Sequence, residues 1–570
     1  MRRPILFAAL AAAILSTAPV AVAGETPDPG PLLVVLEHPA DSQTKAADQV
    51  TVLDPTDLRV VGRAPVDVRR FLAIDRDGRH LIAWGTGDIS LWTGKAKDPA
   101  TLEISDLADH RIDHRFTLFK PPFVGVLDGE HGRYYAIDGS DGDTPATLLA
   151  IDLVGRREIG RTSLGRAAER VDWERADDLL YVLVGTDDAG RKALPARLLV
   201  YDAVQARVIQ ETALAPRPLG LFRLGGYVYA VCRGSGKQEK GAQPGKVYVF
   251  DAATHAPLAE HQVGFEPTLV RRDPVDRSLF VVARGEDETR PGSLTELRAH
   301  LVRIQAVVPG DFSDLQVDGD GDTLYLLAPD SVLELARRDL NVVHQYRLPF
   351  DPTYVLSDTS HRRAFVGAER GSDIAILDRE AGTLVAAMKT GRSGVKVGKG
   401  LLSALSMAAS PVIYWPGATA TGAVPSADGK RLFVVNVQTN DVTVIDLGEA
   451  KALEMLRVGT QPYFMSTSTA TPLIWVFSSE HVTRIDTGTL QQVDVDLTSK
   501  EGLTGWPYFD GDSRRILVPR ESGLEILSMT DGSPAGTVGG LSHPVRISLE
   551  PRLAVALPDP APAETLPPAE

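Results

Sequence analysis

VPSADGKRLFVVNVQTNDVTVIDLGEAKALEMLRVGTQP, from Val424 to Pro462, is the stretch from which the fold is read. Asp428-Gly429 is a turn dipeptide whose glycine supplies a positive φ, and the apolar run from Arg431 to Val437 that follows it has the length and β-branched content of a strand. Asn440-Asp441 turns the chain back, Val442 to Asp446 is a second strand, and Leu456 to Gly459 is a third. A fourth strand is expected after Pro462. The unit is therefore an up-and-down antiparallel sheet of four strands.

Weaker copies of the unit cover most of the chain. The strand ending in aspartate recurs as QVTVLD at Asp54, LEISD at Asp106, ATLLAID at Asp152, ARLLVYD at Asp202, KVYVFD at Asp251, SDIAILD at Asp378 and HVTRID at Asp486. From Asp54 to Asp251 the successive spacings are 52, 46, 50 and 49 residues, a period that belongs to propeller blades. The preceding turn-and-strand element also recurs, as in RDGRHLIAWG from Arg76 and DGDTLYLLAP from Asp320. A single four-stranded sheet cannot bury both faces. Nearly continuous apolar strands such as LFVVNV imply sheets stacked face to face around an axis. The repeated aspartate reads as a turn residue whose carboxylate accepts backbone N–H groups.

The proline, the Asp-Gly turn, the Val-x-Val-Ile-Asp strand and the closing Val-Gly-x-x-Pro of residues 424–462 resemble the YVTN-type β-propeller repeat. The fold expected is all-β, a β-propeller of tandem four-stranded blades with about eleven modules. Because one propeller usually has about 4 to 8 blades, two consecutive propellers are expected, residues 31–310 and 311–557, with one large ring as the alternative. PLLVVLE, from Pro31, looks like the second strand of a blade that VRISLE and RLAVAL, near the other terminus, would complete, leaving no open edge. The segment from residue 558 to 570 is proline-rich and acidic and is expected to be a disordered tail.

Met1-Arg2-Arg3, an apolar run from Ile5 to Leu15 and Ala21-Val22-Ala23 form a secretory signal peptide, residues 1–23, cleaved after Ala23. The run is shorter than the roughly 20 residues of a membrane-spanning helix, so no membrane span is expected and the mature chain is placed in the periplasm or outside the cell. Removing Arg2 and Arg3 lowers the basic count from 60 to 58 against 75 acids, a net charge of −17. Dispersed basic residues under that excess argue against a nucleic-acid partner. The single cysteine, Cys232, excludes an intramolecular disulfide and reads as a buried strand residue.

One irregularity interrupts the repeat: Asp378 and Asp446 are 68 residues apart, whereas Asp446 and Asp486 are 40 apart. The extra residues are SGVKVGKGLLSALSMAASPVIYWPGATAT, 393–421. Long insertions on a regular scaffold carry function, so Lys396, Lys399, Tyr414 and Trp415 are the candidate binding residues, the aromatic pair as anchors. A hairpin or short helix packed on a blade flank is the plain alternative.

Metal and cofactor signatures are weak, and no cofactor is evident. Asp318, Asp320 and Asp322 resemble the opening of a calcium loop, but Thr323 stands in the glycine position and Pro329 in that of the bidentate acid, so a blade turn is expected. Asp138, Asp141 and Asp143 form a second acidic turn, where calcium is the alternative to a plain turn. His110 and His114 would pair on zinc only from a helix, and they lie in a strand pattern. The residues thus favour a binding or scaffolding propeller whose protein or small-molecule ligand meets loops at its faces. The resemblance also allows a lactonase- or lyase-like enzyme, or the large subunit of a quinoprotein amine dehydrogenase-like complex whose small partner carries the cofactor. A wall-associated structural protein is a third class.

Overall fold

The computed structural model describes residues 30–558, except for 39–47, 67–69, 86–99, 119–121, 139–145, 166–169, 177–178, 186–194, 236–242, 274–275, 286–290, 309, 319–320, 359–360, 369–372, 392–422, 427, 437–438, 460–461, 463, 468–471, 479–481, 495–503, 506 and 511–513. The described residues form eleven four-stranded antiparallel sheets and no α-helix. Blade 1 holds strands Leu32–Glu37, Asp48–Leu53 and Val60–Val66. Blades 2 to 11 follow as 70–118, 122–165, 170–216, 218–262, 267–307, 314–347, 354–389, 423–457, 464–494 and 508–539.

The first strand of blade 1 comes from the other end of the chain. Pro544–Glu550 pairs antiparallel with Leu32–Glu37, Val34 opposite Ser548, so the two ends share one sheet as expected. RLAVAL does not join it. After a single bridge from Arg552 to Ile74 the segment runs across blades 2 and 3 as a strap. Its Leu553 N–H donates to the carbonyl of Ile74, and its Ala554 N–H to that of Gly129.

The repeat is also cut differently from the reading of residues 424–462. Ala423–Pro425 is the first strand of blade 9, Lys451–Arg457 is its last, and the strand after Pro462 opens blade 10, where Phe464 lies opposite Phe477. A three-residue first strand has too little pattern to stand out in the sequence.

Strand alternation places the core between the blades. In blade 9, Leu432, Val434 and Ile445 pack with Phe365, Ile374 and Ile376 of blade 8. Phe433, Val442 and Val444 pack on the other side with Ile474 and Val476 of blade 10. A comparable cluster joins every consecutive pair, including Leu517 and Leu524 of blade 11 with Leu33 and Val35 of blade 1. If one propeller were inserted into another, two consecutive pairs would lose their shared core and two pairs of non-consecutive blades would each gain one. These clusters show neither, so the eleven blades form one ring in place of the two propellers expected. Packing also runs through the boundary expected near Gly310, where Phe280, Val308, Phe312 and Leu324 share a cluster.

Candidate functional site

The two faces of the ring differ. The turns between strands three and four of every blade, and between strands one and two of blades 2 to 11, lie at one end, and there no connection exceeds six residues. The opposite end carries the connections between strands two and three and the crossings to the next blade, including 86–99, 233–245, 390–422 and 495–507.

The turn face is tied down by the repeated aspartates. Asp446 accepts the N–H groups of Gly448 and Glu449, and Asp54, Asp106, Asp152, Asp202, Asp251, Asp378 and Asp486 accept equivalent N–H groups in their own turns. The turn reading of these residues therefore stands. Asp318 is a turn residue as well: its N–H donates to the Thr323 carbonyl, and its carboxylate lies 3.1 Å from Arg379 and accepts from the Ser357 hydroxyl. Asp320, Asp141 and Asp143 lie outside the described residues. His114 sits in the strand Arg111–Leu118, and His110, in the turn before it, has a ring nitrogen 2.8 Å from the Arg63 carbonyl oxygen. Cys232 is buried, and burial pushes its thiol up to about 12.

Two buried ionic clasps on this face went unread in the sequence. Arg379, just after the third strand of blade 8, reaches back to Glu334 and Asp318 of blade 7 and lies over the Tyr325 ring. Arg337 does the same one blade earlier, with Asp273 and Glu296 of blade 6 beneath it and the Phe280 ring under its guanidinium. The available signal was an acid between leucines in a strand, Glu296 in SLTELR and Glu334 in SVLELA.

On the loop face, crossings between blades are fixed by polar contacts. Arg217 and Glu266 each precede a proline that opens a blade, both at positive φ, and they form a two-bonded pair at 2.9 and 2.7 Å. In blade 1, Glu37 accepts from the Thr51 hydroxyl and from the Ser542 N–H, both at 2.5 Å. The insertion leaves blade 8 at Thr390-Gly391 beside a similar latch on blade 9. There Thr390 Oγ1 donates to Asn436 Oδ1 (2.6 Å), and the Gly391 N–H donates to Thr443 Oγ1 (3.0 Å). Asn436 Nδ2 donates to Asp441 Oδ1 (2.8 Å) and to Thr443 Oγ1 (2.9 Å). Lys396, Lys399, Tyr414 and Trp415 lie outside the described residues; the strands on either side place the ends of their segment on the loop face.

No family model and no curated protein matches this chain. Among solved structures, dihydro-heme d1 dehydrogenase NirN in complex with DHE is 16% identical, over 68% of this chain and 78% of its own, with a TM-score of 0.32. AztD of Citrobacter koseri is 15% identical over 76% of this chain and 96% of its own, with a TM-score of 0.29. A functionally unknown protein from Desulfotomaculum acetoxidans is 11% identical over 54% and 96%, with a TM-score of 0.28.

Proposed function

We propose that the protein is an exported binding or scaffold protein that meets its ligand through the loop-bearing face of the ring. The unequal faces carry this reading: eleven blades keep one end trimmed to tight turns, and every long connection sits at the other. Chain length in a loop is tolerated on either end of a sheet, so confinement to one end marks the end under functional demand. The leader at residues 1–23 supports export, with a mature chain beginning at Gly24 in the periplasm or medium. Within the face, the insertion 393–421 is the principal contact, with Lys396 and Lys399 supplying charge and Tyr414 and Trp415 apolar anchors.

The test is affinity capture of the tagged mature protein from envelope and medium, reading retained proteins and small molecules by mass spectrometry. Two variants are run beside it: one with 393–421 replaced by a short Gly-Ser linker, one with the exposed turn-face residues Arg157, Arg362 and Lys430 changed to glutamate. Loss of a stoichiometric ligand from the first variant alone is the expected result. Retention by the linker variant and loss from the turn-face variant would move the site to the opposite face.

A further inference from the structure

We propose that Asp441 and Thr439 hold a hard cation, calcium by its chemistry, in the seam between blades 8 and 9 at the root of the insertion. Asp441 is fully buried and stands on the strand face that, through Ile445, packs against Phe365 and Ile374 of blade 8. Its Oδ1 is hydrogen-bonded to Asn436, while its Oδ2 has no hydrogen-bond partner among the described residues. The Thr439 hydroxyl, two residues away in the same hairpin, is also buried and without a partner. A Cβ built on Gly391 would lie 2.7 Å from that hydroxyl and 3.3 Å from the Asn436 amide carbon, so the hydroxyl stands where the insertion begins, beside the same Asn436 side chain that holds Asp441 Oδ1.

Among the described residues no neutral donor reaches the bare oxygen. Asn436 already donates to Asp441 Oδ1, to Thr443 and to the Val434 carbonyl, and the Gly391 N–H is given to Thr443. A buried carboxylate oxygen left without a donor is costly, and a bound positive charge offsets that cost. Blade 1 carries a different polar set at the same register: Glu37 and Thr51 stand where blade 9 has Asn436 and Thr443, and Gln49 stands where it has Asp441. There both oxygens of Glu37 are taken, one by Thr51 and one by the Ser542 N–H, whereas blade 9 leaves an Asp441 oxygen and the Thr439 hydroxyl open in one hairpin. The two open groups are a carboxylate oxygen and a hydroxyl, hard donors that suit calcium and not zinc. With a single carboxylate the affinity belongs in the weak range of extracellular modules, a Kd of about 10⁻⁴–10⁻³ M.

Calcium chloride is titrated into the EDTA-treated mature protein, with the melting temperature and titration calorimetry as readouts. A saturable rise in Tm is expected with a Kd in that range, absent in Asp441→Asn and weakened roughly 10-fold in Thr439→Ala. The rise is expected to survive in a variant carrying Asp141→Asn and Asp143→Asn, which separates this site from the acidic turn of blade 3. No rise in the parent protein, a rise that persists in Asp441→Asn, or one abolished by the acidic-turn variant would each overturn the proposal. Should Asp441→Asn fail to fold, Thr439→Ala decides, and an unchanged Kd there is fatal.

Discussion

The residue four places after each turn aspartate shows what the turns cost and what holds them. Leu58, His110, Arg156, Ala206, His255, Ala450 and Leu490 all occupy that place at φ between 48° and 61°, where Gly382 is the one glycine. A left-handed conformation costs a residue with a Cβ about 1–2 kcal/mol, and the aspartate–N–H bonds are what keep it in place. Ala450→Gly is therefore expected to raise stability by about 0.5–1 kcal/mol, the relief being reduced by the freedom glycine adds to the unfolded chain. Thermal and denaturant melts check it. Acid acts on the same turns. The N–H groups of Thr56, Thr254, Ala381, Glu449 and Thr489 hold Asp54, Asp251, Asp378, Asp446 and Asp486, respectively, below the ordinary carboxylate value. Depressed groups contribute fully above the unfolded pKa of about 4, and the contribution is lost as pH falls through the folded values. Tm should thus be level above about pH 5 and drop below about pH 4. A melt series showing the steepest loss between pH 5 and 7 would place the acid-sensitive groups elsewhere.

Between blades, the clasps test whether a seam is held by shape alone. Arg379 is 11% exposed and faces Glu334 and Asp318, which are 7% and 4% exposed. Removing its charge leaves two buried acids, partly satisfied by Tyr346 and Ser357, and Arg379→Met should cost about 3 kcal/mol. Arg379→Lys should recover only part of this, because a lysine cannot span both carboxylates while covering the Tyr325 ring. A melt of Arg379→Met within experimental error of the parent would show that apolar packing alone carries the seam. These clasps also mark where the sequence stops being readable. Strand and turn positions such as Gly429, Val442, Val444 and Asp446 follow local rules of period and φ, so their places could be read directly. Arg379 and Glu334 are 45 residues apart, and only the stacking of blade 8 on blade 7 brings them together. The latch of Asn436, Asp441 and Thr443 was hidden differently: these residues look like ordinary edge polarity until the strand pairing turns them into the seam.

At the scale of the ring, the number of modules was legible because each carries its own turn and strand signals, but their arrangement was not. Whether a blade closes on its neighbour after five, six or eleven copies depends on small differences in wedge angle that no single residue records. The joining of the ends was legible, since Leu32–Glu37 is too apolar to stand as an edge and Pro544–Glu550 matches it. The strap beyond was not, because RLAVAL has the alternation of a strand, and only the occupied inner edge of blade 1 sends it elsewhere. Leu553 and Leu557 are 1% and 4% exposed among Ala73, Ile82, Tyr134 and Leu149 of blades 2 and 3. The Leu557 N–H donates to the buried Asp75 carboxylate, which also binds the His80 ring at 2.9 Å. A chain ending at Glu550 keeps the closing strand and loses only this strap. Two buried leucines are worth about 3–6 kcal/mol at the upper bound, so that truncation should lower stability by about 3 kcal/mol and speed amide exchange in blades 2 and 3 first. A chain ending at Pro558 should melt as the full-length protein does. Removing residues 544–570 takes the closing strand as well, bares Leu32–Glu37, and should unfold blades 1 and 11 at the temperature where the other truncation is still native. Equal melts for the chains ending at Glu550 and at residue 543 would mean that the ring is not held shut by the pairing of its ends.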